Sequence, residues 1–240
     1  MNWKDKIAAI EAFYQRSFEN PRKIAEVETS GSYAKKVAKL ASLGKRSSAE
    51  VKLLCQVVEH LRVAAKIIDD IIDEDIVRDF RPAFWVIHGQ ETTIEQAAYH
   101  LAQARKIAGQ LGIAIFEQRV CEVIAAARLE VEMENFDFAS ELSLPQLWAE
   151  VVKKEASFRL LLAEALNCPA NVCEAAYLDG VAAQMLDDGL STLYGKDGRT
   201  DNSDERLGRL TYMRAFGVSP EEAVQKGRMI KAQIAPILGR

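Results

Sequence analysis

The chain has 240 residues, 49% of them hydrophobic, which is ample apolar material for a core in one domain spanning residues 1–240. Its 31 Lys and Arg stand against 35 Asp and Glu with the signs interspersed, so no nucleic-acid footprint is expected. No run of about 18 apolar residues occurs, and the N-terminal stretch carries charges inside its apolar pattern. It reads as an amphipathic helix, not a transmembrane or signal segment.

Apolar spacing predicts helices over 3–17, 21–43, 47–75, 92–112, 114–137, 145–167, 170–194 and 219–237. The segment 78–90 reads as helical but interrupted by Pro82. No stretch keeps the alternation of a strand, so the expected fold class is all-α. Ser47 with Glu50, Ser143 with Gln146 and Ser219 with Glu222 can each cap a helix start. The cluster Lys35, Lys36, Lys39, Lys45 and Arg46 suits a solvated helix face. Linkers are short except 195–210, where Gly, Lys/Arg and Asp alternate in a way that suits closing over a phosphate. Cys55, Cys121, Cys168 and Cys173 form no CxxC pair and read as buried free thiols of a cytoplasmic protein. His60, His88 and His100 lie near no other ligand in sequence, which gives His-based metal sites and Ser-His-Asp chemistry little support.

The chemistry points to Ile68-Asp69-Asp70-Ile71-Ile72-Asp73. On a helix Asp69 and Asp73 stack one turn apart on a single face, beside a wall of Ile67, Ile68, Ile71 and Ile72. Carboxylates on an apolar wall need a positive partner, and a hard divalent cation such as Mg²⁺ qualifies. A solvated acidic helix end is the alternative. A second acidic pair, Asp187-Asp188 after Gln184, weighs against it, because two such elements facing each other would grip Mg²⁺ ions and a diphosphate.

The order DDxxD, Lys154, QxxDD, Gly195-Lys196-Asp197-Gly198, then Arg209 before Thr211-Tyr212 resembles the trans-prenyltransferase (polyprenyl diphosphate synthase) family over about residues 44–225. The resemblance implies a helical bundle with a central substrate cavity, Mg²⁺ as cofactor, an allylic prenyl diphosphate as substrate and a homodimer. It implies Asp69, Asp70, Asp73, Asp187, Asp188 and Ser191 as metal ligands. Lys45, Arg78, Lys154, Gln184, Lys196 and Arg209 would bind the diphosphate, and Asp69, Asp73, Lys154 and Asp187 would carry catalysis. Small residues at Ala64 and Ala65, one turn before Asp69, would leave tail room for a substrate of farnesyl size or longer; close helix packing is the other reading.

The chain also departs from that pattern. Glu155 replaces the Thr after Lys154. Where the family binds isopentenyl diphosphate, this chain has Ser48, Arg62 and Asp79; Arg62 either compensates or pairs with Asp79 or Glu59. Ser191 is similar to the Ser of the NDxxSxxxE motif of class I terpene cyclases, but Gly195 stands at the Glu position, and a cyclase's upstream Arg is Glu141 here. The expected function is a Mg²⁺-dependent prenyltransferase that passes an allylic prenyl group to an unknown acceptor, with isopentenyl diphosphate and another nucleophile both left open. The alternatives are a class I terpene cyclase and a non-catalytic subunit of a heteromeric prenyl synthase.

Overall fold

The structure is a computed structural model that describes residues 1–27, 31–135, 137–195 and 203–239. Helices account for nearly all regular structure among these residues. In chain order they are α1 (Trp3–Arg16), α2 (Ser32–Ala41), α3 (Ser48–Ile72), α4 (Phe84–His88), α5 (Gln90–Gln110) and α6 (Phe116–Glu132). After them come α7 (Leu144–Val151), α8 (Lys153–Ala165), α9 (Ala170–Tyr194), α10 (Ser203–Arg206), α11 (Tyr212–Phe216) and α12 (Pro220–Ile234). A two-residue antiparallel ribbon, β1 (Val77–Arg78) with β2 (Arg81–Pro82), follows α3. The fold is all-α, as the periodicity predicts.

Helix starts obey local chemistry. Ser47, Ser143 and Ser219 each close a capping box with Glu50, Gln146 and Glu222, satisfying amide groups the first turn leaves open. Elsewhere tertiary structure overrides periodicity. The helix expected over 21–43 starts only at Ser32, after Gly31 takes a left-handed conformation at φ 62°. Ahead of it, Gln96 Oε1 accepts the amides of Ile24 and Ala25 at 2.7 and 3.1 Å, holding that segment extended against α5. The helix expected over 47–75 stops at Ile72, and Glu74 turns left-handed at φ 56°. The helix expected over 145–167 breaks at Val152 into α7 and α8. Instead of an interrupted helix, 78–90 forms the ribbon and α4. Asp79 and Phe80 make its turn at φ 51° and 61°, and Pro82 sits where no ladder amide is required.

The core centres on α3, which buries Leu54, Val57, Leu61, Ile67 and Ile71 against neighbouring helices. Each such side chain contributes about 1.5–3 kcal/mol of burial. α8 and α9 cross tightly at Gly180, where a Cβ would stand 2.5 Å from the Ala156 Cα. Among the described residues no helix is long and apolar enough to cross a membrane.

One expectation is corrected. The cysteines are free, but Cys121 is exposed, with its Sγ 3.2 Å from the Tyr14 hydroxyl, and the other three are half-buried. Folding also brings His60 and His100 together, Nδ1 to Nδ1 at 2.8 Å. Gln96 Nε2 donates to Ala25 O and lies 3.0 Å from His100 Nε2, so that nitrogen is the acceptor. His100 therefore donates from Nδ1 to His60.

Candidate active site

A cavity of about 380 Å³ opens between α1, α3, α6, α8 and α9. Its walls are sorted by height. At one end stand Asp69, Asp73, Arg78, Lys154, Gln184, Asp187, Asp204 and Arg209. Below them the wall is mostly apolar, with Ala64, Ala65, Leu61, Phe13, Leu101, Val120, Phe158 and Leu161, although Arg62, Arg119 and Glu155 also reach it. At 1.5 Å per residue, Asp69 to Leu61 along α3 is about 12 Å. On α8, Lys154 likewise stands above Phe158 and Leu161. Two helices, α3 and α8, thus present charge at one level of the wall and hydrocarbon at another.

The charged level is densely paired. Arg78 Nη2 lies 2.9 Å from Asp69, and its Nε donates to Asp70. Arg209 is only 1% exposed; its Nη1 donates to Asp73, its Nη2 to Ile72 O at 3.0 Å, and Nε and Nη2 each lie 3.1 Å from Glu134. Lys154 donates to both oxygens of Glu130, at 2.6 and 2.7 Å. Burial opposes the charge on Lys154, but Glu130 and Asp69 hold its ammonium more firmly charged than usual.

The two cavity aspartates of α3 are driven apart. Burial opposes ionisation of Asp69, but Arg78, Lys154 and Arg209 outweigh it and hold the carboxyl at about 2. Asp73 is pushed up to about 7 by burial, Arg209 offsetting only part, with Asp69 and Glu130 adding to the rise. In such a pair one carboxylate ionises readily and the other yields its proton near neutrality.

Helical phase divides the sequence candidates. Asp69, Asp73, Asp187, Gln184, Lys154, Arg78 and Arg209 meet at the cavity, and Ala64 and Ala65 line it lower down. Asp70 is off the wall: it is 2% exposed, bonds Arg78 from behind, and burial pushes it up to about 7. Asp188 also faces inward, accepting from Gln184 Nε2 at 2.7 Å and from the Tyr212 amide at 2.6 Å. Ser191 is buried, with its hydroxyl donating to Asp188 O at 3.2 Å. Lys45 lies off the cavity as well; its amide donates to Leu166 O at 2.9 Å, at the junction before α3. Lys196 lies outside the described residues. Asp79 pairs with Lys66 rather than Arg62, whose guanidinium stands 5.6 Å from the centre of the Tyr33 ring.

Sequence reading missed Glu130, Glu134, Asp204 and Lys6. The signal was present for three of them. Glu130 and Glu134 are i,i+4 acids at the end of an apolar helix, and Lys6 shares its face of α1 with Ile10 and Phe13.

Asp69, Asp73 and Asp187 offer hard oxygen donors to one space, the donor type Mg²⁺ takes together with substrate phosphates. Among the described residues no three acidic, His or Cys groups already converge on a metal-sized gap. The donor set fits the ion in kind, with the remaining ligand positions left to water and phosphate.

Fold and cavity together define the isoprenoid synthase architecture, and the chain has the all-α fold of the trans-prenyltransferases. A geranyltranstransferase from Thermotoga maritima superposes with a TM-score of 0.70 at 16% identity, covering 95% of this chain and 82% of that one. An octaprenyl pyrophosphate synthase from Helicobacter pylori gives 0.64 at 19% identity over 98% and 91% of the two chains. A Caulobacter crescentus polyprenyl synthase, complexed with calcium and isoprenyl diphosphate, gives 0.64 at 14% over 96% and 84%. No family model matches the chain, and no curated protein matches it in sequence. At such identities the likeness is one of fold.

Proposed function

We propose that this chain is a Mg²⁺-dependent prenyltransferase that ionises an allylic prenyl diphosphate of farnesyl size or longer and passes the prenyl group to an acceptor other than isopentenyl diphosphate. The observation that carries this reading is the arrangement of the cavity, with Asp69, Asp73, Asp187, Arg78 and Lys154 above a mostly apolar floor. Asp69, Asp73 and Asp187 would hold Mg²⁺, which would act as a Lewis acid on the leaving diphosphate. Arg78 and Lys154 donate charge-assisted hydrogen bonds to diphosphate oxygens. As the C–O bond breaks, its electron pair leaves with the diphosphate and an allylic cation remains. The apolar walls keep water from that cation. Tyr33 and Phe158, packed edge to face at 5.1 Å, place aromatic rings in the wall beside it.

The choice of acceptor rests on charge. Asp79 lines the cavity and is neutralised by Lys66, so the position offers no net positive charge to a second diphosphate. The test is incubation with farnesyl diphosphate and Mg²⁺, with and without isopentenyl diphosphate, following pyrophosphate and prenyl products. Ionisation that needs an added nucleophile supports the proposal. An elongated diphosphate overturns the acceptor assignment. Olefin or alcohol formed without a co-substrate favours the cyclase, and inertness with activation of a partner synthase favours the subunit reading.

A further inference from the structure

We propose that Lys6 on α1 is a positioning residue that sets how available Asp73 is to metal, acting through Glu134 and Arg209; this rests on the site reading above. Lys6 is wholly buried, at 0% exposure, yet is not part of the cavity wall. A buried ammonium is costly without partners, and the partners here are specific. Its Nζ lies 2.6 Å from Glu134 and 3.1 Å from Glu74, the residue after Asp73.

Arg209 stands between two sets of acids. On one side is Asp73; on the other are Glu134 at 3.1 Å and Glu130 at 3.8 Å. Each of those glutamates has a lysine of its own: Lys154 for Glu130 and Lys6 for Glu134. The two lysines offset the pull of the glutamates, so Arg209 stays on Asp73. A metal approaching Asp73 must compete with that guanidinium, and Lys6 regulates the competition from a distance.

Opposite signs follow for two variants. Lys6→Met leaves Glu134 uncompensated, which draws Arg209 off Asp73 and frees the carboxylate for metal. Glu134→Gln removes the rival acid and leaves Arg209 to Asp73 and Glu130, so metal binds less well. A role confined to packing would move both variants the same way.

The experiment is calorimetric titration of Mg²⁺ into the full chain with inorganic pyrophosphate present, with melting curves to check folding. Expected are at least threefold tighter Mg²⁺ binding for Lys6→Met, at least threefold weaker binding for Glu134→Gln, and wild-type affinity for Lys6→Arg. Wild-type binding with both variants shifted in one direction, or neither shifted, overturns this proposal alone. Absence of binding by the wild type overturns the metal-site reading as well. If Lys6→Met does not fold, Glu134→Gln decides: unchanged or tighter binding overturns the proposal, and weaker binding with Lys6→Arg unchanged supports it.

Discussion

Asp188 accepts the amide proton of Tyr212 at 2.6 Å, which ties the chain just after Arg209 to the C-terminal third of α9. Its other oxygen takes Gln184 Nε2, so both carboxylate oxygens are engaged inside the protein. Asp187, one residue earlier, faces the cavity. Asp188→Ala is expected to destabilise the fold by about 1–3 kcal/mol, because it leaves a buried amide unpaired. Asp187→Asn is expected to lower turnover with little change in melting temperature. Thermal melts and steady-state rates of the two variants check this; equal losses of stability would show that the two aspartates share one role.

Asp69→Asn and Asp73→Asn keep side-chain volume and remove charge. Each is expected to lower turnover by about 100-fold or more, since charge placed at the leaving group is lost. Arg209 keeps Glu130 and Glu134 when Asp73 is neutralised, so the fold is expected to survive. Near-normal rates with a folded variant would refute the metal assignment.

Gly180→Ala tests the crossing that places Lys154 opposite Asp187. The added methyl would meet the Ala156 Cα at 2.5 Å and the Glu155 carbonyl at 2.7 Å, both backbone atoms that cannot swing aside. A loss of about 1–3 kcal/mol is expected from overpacking. Chemical denaturation measures it, and an unchanged midpoint would show that the crossing is slack.

Much of the site was legible because helical phase is simple arithmetic. Asp69 and Asp73 sit four residues apart in an isoleucine wall, and only one face of α3 can hold both. The same arithmetic separates Asp70 from Asp69 and Asp188 from Asp187, since neighbours on a helix point about 100° apart. Each aspartate pair is therefore two residues on two faces, one turned to the cavity and one to the interior. The ribbon at 77–82 could not be read locally, because Phe80 adopts a left-handed backbone that a bulky residue rarely takes, although the neighbouring Asp79 tolerates it. What fixes it is distant: Arg78 held by Asp69 and Asp70, and Trp85 Nε1 donating to Asp75 O at 2.6 Å. The pairing of Lys6 with Glu134 spans 128 residues of sequence and has no local signature beyond a charge on an apolar face.

Acid is expected to destabilise the contact between α3 and α5 through the histidine pair. Burial, together with the neighbouring His60 and Lys23, depresses His100 to about 4 in the folded chain. The unfolded chain binds its proton near 6.5. The stabilising preference for neutral His100 is therefore present above about pH 6.5 and fades as pH falls towards about 4. Protonation also places two donors face to face at Gln96 Nε2. Melting temperatures of wild type and His100→Gln between pH 7 and pH 4.5 check this. The wild type should lose more stability than the variant on acidification; parallel curves would refute the assignment.

Along α3 and α8 the cavity keeps most of its charge on one storey and most of its hydrocarbon on another, at different turns of the same helices. Substitutions that widen or narrow the lower storey, at Ala64, Ala65 or Phe158, leave the ion pairs above untouched. Those at Arg209 or Glu134 disturb every charged neighbour at once. A lineage carrying this fold can therefore retune the size of molecule it accepts in single steps, while the bond-breaking end changes only through coordinated replacements.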